Sequence, residues 1–237
     1  MLNKKFSYSS QRWLKRREKD RYAHMAKELQ YRSRAAFKLI EILEKFCIIK
    51  TIKNGEVILD LGAAPGGWSQ VISEKLRQVS VLAPIIGIDL LRIEPVGGAY
   101  FIQHNFLSHD LEKKIHEILF QLNSEHVIAL DSEISEEKNL KIPENFSTAL
   151  IVSDMLPNSS GDKTTDYLRF AELFDGILLF ATKYLKKNGF LVTKVMRCGK
   201  ESDIIKRYSK CFSSCRFFKP CSSYSSSAEI FAIFKKN

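Results

Sequence analysis

At 237 residues the chain has room for one large domain, or for one domain and an arm. Apolar residues make up 45% and aromatics 11%, which is enough to bury a sizeable core and excludes wholesale disorder. Thirty-seven basic residues against 27 acidic ones leave a net charge of +10, which points to a polyanionic partner. No apolar run approaches the roughly 18 residues that span a bilayer. The first twenty residues contain no apolar stretch of the kind a secretory signal carries. No membrane partner is therefore expected. The five cysteines form no Cys-x-x-Cys pair, so a reduced, cytoplasmic protein fits better than a disulfide framework, and no metal site is expected. The Arg-rich start leaves a mitochondrial location open, although Glu18 and Asp20 argue against a transit peptide.

The charge is unevenly spread. Residues 1–34 carry eleven Lys or Arg against three acids, and residues 194–237 carry ten against three. The stretch 123–146 holds six acids against two lysines. If the fold brings the two basic ends together, they form one basic face. This divides the chain into a basic N-terminal arm, 1–32, and a domain over 33–237 with an acidic insertion at about 123–146.

Residues 1–10 are polar and Ser-rich, and 11–30 read as a charged helix with few apolar positions. Over 33–46 the apolar residues fall at 36, 37, 39, 40, 43 and 46, which is helical spacing, with Ser33 as the expected N-cap. From residue 56 the pattern changes. EVILDLG is a short apolar run ending at a glycine, and GGWSQVISEKLRQ reads as a helix. PIIGIDLL and AYFIQHN are two further strands, and DLEKKIHEILFQL is amphipathic. TALIVSD is a fourth strand. The long helix TTDYLRFAELFDGILLFATKYL is expected to stop at Lys187-Asn188-Gly189. GFLVTKVM is a fifth strand, ESDIIKRYSKCF a helix, and CRFFKP and AEIFAIF a last antiparallel pair joined by a Ser-rich loop. Strands alternating with helices of this length mean βαβ units and a mostly parallel α/β sheet covered on both faces.

The turn Asp60-Leu61-Gly62-Ala63-Ala64-Pro65-Gly66-Gly67-Trp68 follows the first strand and opens the first helix of that series. In open α/β sheets ligands bind at such carboxyl ends. Ala64 and Pro65 break the G-x-G-x-x-G pattern of a dinucleotide loop, which disfavours a nicotinamide dehydrogenase. The loop begins with an acid, which would repel a pyrophosphate and suit a cationic ligand. S-adenosyl-L-methionine, with its sulfonium and ammonium, is such a ligand. Asp89 ends the next strand, where a carboxylate would bind a ribose diol.

DLGAAPGGWSQ, together with YRSRAAFKL upstream and SDMLPNSSG downstream, resembles the FtsJ/RrmJ family of ribosomal RNA 2′-O-methyltransferases. The resemblance runs from about Gln11 to the C-terminus apart from the insertion. It implies a Rossmann-like, seven-stranded S-adenosylmethionine-dependent methyltransferase domain. Its cofactor contacts would fall on Gly62, Gly66, Trp68, Asp89 and Asp154, beside Asp60. The family's adenine-binding Asp is replaced here by Asn105, which can still accept a hydrogen bond but without charge assistance. The resemblance also implies a catalytic tetrad of Lys38, Asp154, Lys194 and Glu229, with Lys194 as proton acceptor. Each of these charges sits at or within an apolar run, where lysines are rarely buried without a partner.

A ribose hydroxyl is a weak nucleophile, so a positioned base is required. A free lysine titrates near ~10.4. Burial and neighbouring cations would lower that value, and the two acids would oppose the shift. No metal is needed for a neutral thioether leaving group. Arg12, Lys15, Arg16, Arg17, Arg32 and Arg34 are the expected phosphate contacts. The implied partner is ribosomal RNA or the large ribosomal subunit, with a uridine as target, and the chain is expected to act as a monomer. Two alternatives are a tRNA 2′-O-methyltransferase and a ribosome-assembly factor that binds RNA without catalysis.

Overall fold

The computed structural model describes residues 20–130, 147–197 and 201–237. Residues 11–19 of the expected charged helix and 131–146 of the expected insertion lie outside them. The chain opens with α1 (Arg21–Glu28) and α2 (Ala35–Lys45), then a short 3-10 turn at Ile49–Thr51. There follow β1 (Val57–Leu61), α3 (Gly67–Gln78), β2 (Ile85–Asp89), β3 (Ala99–Gln103) and α4 (Leu111–Leu130). The second half holds β4 (Thr148–Ser153), α5 (Lys163–Tyr184), β5 (Leu185–Met196), α6 (Glu201–Arg207), β6 (Phe212–Phe218) and β7 (Glu229–Lys236). Among the described residues no helix is long and apolar enough to cross a membrane.

The seven strands form one sheet in the order β3-β2-β1-β4-β5-β7-β6. The first five are mutually parallel. The two last strands do pair antiparallel, as their sequence suggested. β7 also inserts antiparallel beside β5, which leaves β6 at the edge. β1 and β4 are buried at every position, which is what strands covered on both faces require. One apolar cluster joins the sheet to α4, α5 and α6 through Ile115, Phe170, Phe174 and Ile204. The other joins its opposite face to α2 and α3 through Leu39, Ile42, Val71 and Ile72. Phe174, Phe231 and Phe234 are among the largest fully buried side chains, each stabilising by roughly 1.5–3 kcal/mol.

Three local expectations are corrected. Arg34, not Ser33, precedes α2, in helical conformation and without a side-chain cap. Ser33 Oγ instead lies so close to Gly67 that a Cβ there would meet it at 2.8 Å, so the hydroxyl is packed against the first turn of α3. α5 ends at Tyr184 rather than at Asn188, because the chain there enters β5. Asn188 takes a left-handed φ of 62° within a register break where Thr148 pairs with Leu185 but Leu150 pairs with Phe190. α4 continues through Leu130, so the first residues of the expected loop are helical.

The N-terminal segment is tied to the C-terminal loop. The Asp20 carboxylate caps α1 by accepting from the backbone N–H of Tyr22 at 3.0 Å and of Ala23 at 3.4 Å. It also accepts from the Tyr224 hydroxyl and forms an ion pair with Arg34. Arg34 donates to the Ser222 carbonyl, and its guanidinium lies 3.9 Å from the centroid of the Tyr224 ring. Glu41 on α2 accepts from the backbone N–H of Cys221 at 2.6 Å and of Ser222 at 2.9 Å. Removing one member of a buried charge pair leaves the other uncompensated. Asp20→Ala is therefore expected to cost about 3 kcal/mol of unfolding free energy. Denaturant titration should show a lower midpoint with an unchanged slope. A loss under about 0.5 kcal/mol, the ordinary scale of a surface substitution, would remove this cluster as a stabilising element.

Candidate active site

The carboxyl ends of β1, β2, β3 and β4 stand side by side, and the order of strands reverses between β1 and β4. That switch point leaves a crevice at one edge of the sheet. Gly62, Asp89, Asn105 and Asp154 all stand at or just beyond these ends. Lys194 lies near the end of β5. Because β7 runs antiparallel, its first residue reaches the same edge: Glu229 is the register partner of Met196. α2 lies across this face of the sheet and brings Lys38 to the same place.

The four charges meet. Lys38 Nζ donates to Glu229 Oε1 at 2.6 Å. Lys194 Nζ donates to the Asp154 carbonyl at 2.8 Å and lies 2.7 Å from Asp154 Oδ1. The Oδ1 contact is an ion pair whose angle falls outside hydrogen-bond geometry, so that oxygen keeps an acceptor position open. Glu229 Oε2 lies 4.0 Å from Lys194 Nζ. Lys38 and Lys194 are only 8% and 9% exposed, so each depends on its carboxylate partner. Burial pushes the Glu229 carboxyl up, but the Lys38 hydrogen bond and the charges of Lys38, Lys194 and Arg34 outweigh it. The net effect holds Glu229 below the ordinary glutamate value.

The loop after β1 has a different character. Gly62 has a φ of 73°, and a Cβ there would lie 2.0 Å from Met155 Cγ. Gly66 precedes α3 with a φ of 99°. Asp89 Oδ2 accepts from the Ala64 N–H at 2.8 Å, and its Oδ1 accepts from the Leu91 N–H at 2.8 Å. Asp89 thus fixes the loop and still keeps lone pairs at a half-exposed edge. Asn105 is exposed, and its Oδ1 accepts from the Leu107 N–H at 3.0 Å. Adenine recognition would therefore share an oxygen already engaged with the backbone.

Two of the expected cofactor contacts are placed in the core. Asp60 is 1% exposed, and its carboxylate accepts from Ser69 Oγ at 2.7 Å beneath the loop. Burial raises its carboxyl to about 7. The Ser69 hydrogen bond opposes that shift, and the charges of Asp154 and Asp89 add to it. The Trp68 indole is buried, donates to the Ala35 carbonyl at 2.9 Å and packs against Phe231. The side chain of Trp68 joins α3 to α2 rather than facing the crevice.

The residues present fit a cationic, adenine-bearing donor. Asp89 offers a carboxylate at the half-exposed rim, Asp154 Oδ1 keeps an acceptor position open, and the charges of Asp154 and Asp89 add to the larger lift that burial gives Asp60. Leu90 and Leu91 are 68% and 65% exposed beside Asp89, and Leu107 is exposed beside Asn105. Sequence reasoning passed over this apolar rim, although the exposed pair Leu90-Leu91 after a strand-ending Asp was the signal for it.

Arg32 and Arg34 were both expected to meet phosphate, and both are engaged with the protein instead. Arg32 donates to the carbonyls of Pro65 at 3.0 Å and Glu94 at 2.6 Å, and to that of Pro95. It clamps the loop before α3 to the segment after β2. Arg34 is held by Asp20, Ser222 and Tyr224. Arg12, Lys15, Arg16 and Arg17 lie outside the described residues.

The sequence pattern of the FtsJ-like methyltransferase family matches residues 31–237. A Rickettsia canadensis protein named ribosomal RNA large subunit methyltransferase E is 37% identical over 233 residues, covering 98% of this chain and 90% of the relative. A protein of the same name from Xanthobacter autotrophicus is 36% identical over 225 residues, covering 95% and 78%. Among solved structures, a Plasmodium falciparum protein described as a candidate ribosomal RNA methyltransferase superposes with a TM-score of 0.65 at 28% identity. That superposition covers 87% of this chain and 98% of the other.

Two outcomes follow from this geometry. Asp60 binds its proton more tightly in the native chain than in the unfolded one, where a carboxyl titrates near ~3.9. The associated stability is full below about pH 4 and is lost as pH rises toward about 7. Wild-type stability should fall across that window by a few kcal/mol relative to Asp60→Asn. Superimposable pH profiles of the two proteins would place Asp60 in an aqueous environment. Arg32→Ala should fold and weaken donor binding about tenfold in calorimetry, since a loosened loop must be reordered on binding. It should leave the salt dependence of RNA binding unchanged. A fall of about one in the log–log slope would return Arg32 to the phosphate contacts.

Proposed function

The chain belongs to the FtsJ-like methyltransferase family, an S-adenosylmethionine-dependent family, and from that premise we propose that it methylates a ribose 2′-hydroxyl of large-subunit ribosomal RNA, at a uridine. The observation that carries this reading is the meeting of Lys194 with Asp154, and of Lys38 with Glu229, at the switch-point edge. The relatives' shared name supports large-subunit ribosomal RNA as the substrate. A chain that bound RNA without catalysis would have no need of two buried lysines.

When bound, S-adenosylmethionine supplies an electrophilic methyl group on a sulfonium and leaves as a neutral thioether. The protein's part is to orient the hydroxyl, exclude water and take up a proton. Lys194 Nζ, in its neutral form, accepts the 2′-hydroxyl proton as the oxygen becomes an ether. Asp154 orients that amine through both its carbonyl and its carboxylate. Glu229, kept ionised by Lys38, turns its second oxygen toward Lys194 and fixes the direction from which the hydroxyl approaches. Lys38 is committed to Glu229 and so does not compete for the proton. The burial of Lys38 and Lys194 and the part-burial of Asp154 and Glu229 limit competing water.

The test is to incubate the protein with labelled donor and, separately, large-subunit RNA, assembled large subunits and transfer RNA. Alkali-resistant dinucleotides then locate any 2′-O-methyl group. Label in a uridine of the large-subunit RNA is expected. Label on a base, or only in transfer RNA, would overturn the reading. Lys194→Ala should lower kcat by about 10²–10⁴-fold while calorimetry shows donor affinity within about twofold of wild type. Near-normal turnover in the variant would remove Lys194 as the base.

A further inference from the structure

Four polar residues of α2 fall on one stripe. Arg34, in helical conformation just before the helix, is followed at intervals of four, three and four by Lys38, Glu41 and Lys45, so the four share one face. All of them meet the same stretch of chain, which runs from the last residue of β6 to the first of β7. Lys45 Nζ lies 5.3 Å from the centroid of the Phe218 ring. The Glu41 carboxylate accepts from the N–H groups of Cys221 and Ser222, one through each oxygen. Arg34 donates to the Ser222 carbonyl, and Lys38 donates to Glu229. Between these points the connection is closed by its own bonds. Lys219 Nζ donates to the carbonyls of Ser225 at 3.0 Å and Ser227 at 2.7 Å. The Ser223 N–H bonds to the Pro220 carbonyl and the Ser227 N–H to the Tyr224 carbonyl, each at 3.0 Å. Ser227 Oγ accepts from the Glu229 N–H at 3.2 Å.

We propose that Glu41 is a positioning residue for methyl transfer: its grip on Cys221 and Ser222 sets where α2 lies along the β6–β7 connection, and so brings Lys38 to Glu229. The inference rests on the ribose reading above and adds to it a residue outside the tetrad. Glu229 is fixed within the sheet, where it is the register partner of Met196. Lys38 stands on a separate layer. α2 is held to the sheet by Ala36, Leu39, Ile42 and Leu43, and apolar packing is non-directional, so packed helices can slide by small steps. A slide of about 1 Å would stretch the 2.6 Å bond between Lys38 and Glu229 beyond hydrogen-bond range. Directional bonds are needed to prevent it. Glu41 supplies two, to adjacent N–H groups, each strengthened by the charge of the carboxylate. They tie α2 to the chain at Ser222, seven residues before Glu229, and the closed connection carries that tie to the start of β7.

The test measures methylation of large-subunit RNA by wild type, Glu41→Ala, Glu41→Gln and Glu44→Ala. Glu44 is a nearby acid on α2 that pairs with Lys75 instead, so its variant should stay within about twofold of wild type. Glu41→Ala should lower kcat about tenfold or more, because small misplacements near the reacting atoms cost that order. Its KM for RNA and its donor affinity should stay within about threefold of wild type, since uniform binding is untouched. Glu41→Gln keeps the size and one acceptor, so it should fold and lose about threefold in kcat. In a Lys38→Ala background, Glu41→Ala should cost nothing further, because its effect passes through Lys38. A second readout does not depend on activity. In isotopically labelled protein the Glu229 carboxyl is titrated by carbon NMR. It sits below the ordinary glutamate value in the wild type, chiefly through the Lys38 hydrogen bond, and should rise in Glu41→Ala as that bond loosens. Loss of a neighbouring negative charge alone would move it the other way. Wild-type kcat in Glu41→Ala, an equal further loss in the Lys38→Ala background, or a Glu229 carboxyl that is unmoved or lowered would each overturn the positioning role. A wild-type protein that methylates no 2′-hydroxyl, yet whose Glu229 carboxyl rises in Glu41→Ala, would instead overturn the reading of function and leave the tie between Glu41 and the connection in place.

Discussion

The burial of Lys38 and Lys194 at one edge of the sheet is the constraint on which the rest of the site depends. A buried ammonium without a counter-charge costs several kcal/mol, so each lysine requires a carboxylate at hydrogen-bond range. Asp154 and Glu229 come from opposite directions of chain travel. Asp154 follows a parallel strand, and Glu229 begins an antiparallel one. Only a sheet in which β7 runs against β5 brings the start of one strand and the end of its neighbour to the same edge. The reversed last strand of an otherwise parallel array is thus the element that completes the charge set.

Much of this was legible before the structure. Parallel strands buried on both faces appear in sequence as near-continuous apolar runs, and VILDL, IIGID and TALIVS read plainly as such. Lys194 and Glu229 stood out because a charge within an apolar run demands a reason. Three things were hidden. The place of β7 between β5 and β6 depends on pairing between strands distant in sequence, which no local pattern records. The direction in which Asp60 and Trp68 face depends on how α3 docks, and a loop motif specifies residue types without saying which of them turn inward. An arginine in a basic segment also looks the same whether it meets phosphate or carbonyl oxygens. Arg32 and Arg34 were counted with the RNA-facing charges, yet they hold the fold together.

That correction changes the meaning of the basic ends. The segment from Asp20 to Arg34 and the loop from Cys221 to Tyr224 are joined by ion-pair, ring and backbone contacts, so the described part of the N-terminal stretch meets the C-terminal one. Part of the positive charge at this junction is consumed internally: Arg34 is matched by Asp20, and Lys38 by Glu229. A count of basic residues therefore overstates what is offered to a polyanion, whereas the net charge already subtracts these partner acids. The same contacts link the N-terminal segment to the tetrad, since Arg34 contributes to the field that keeps Glu229 ionised. Arg32, two residues earlier, fixes the loop that opens α3. A disturbance of this segment would reach both the loop that opens α3 and the Glu229 carboxylate through short chains of contact.

Charge is divided along the crevice in a way that orders the two substrates. Asp60, Asp89 and Asp154 lie on the ends of β1, β2 and β4, and their mutual repulsion is strong enough to add to the lift that burial gives Asp60. That end attracts a cation and repels phosphate, which disfavours a dinucleotide independently of the missing glycines. The other end carries Lys38 and Lys194 behind their partners, with Lys163 and Arg197 exposed at the same sheet edge. That end suits a polyanion. Asp154 belongs to both halves: it adds to the field on Asp60 and it pairs with Lys194. A sulfonium on one side and a ribose phosphate chain on the other are thus each excluded from the other's place by repulsion as well as drawn to their own. On the proposed reading their reacting atoms meet beside Asp154, within reach of Lys194.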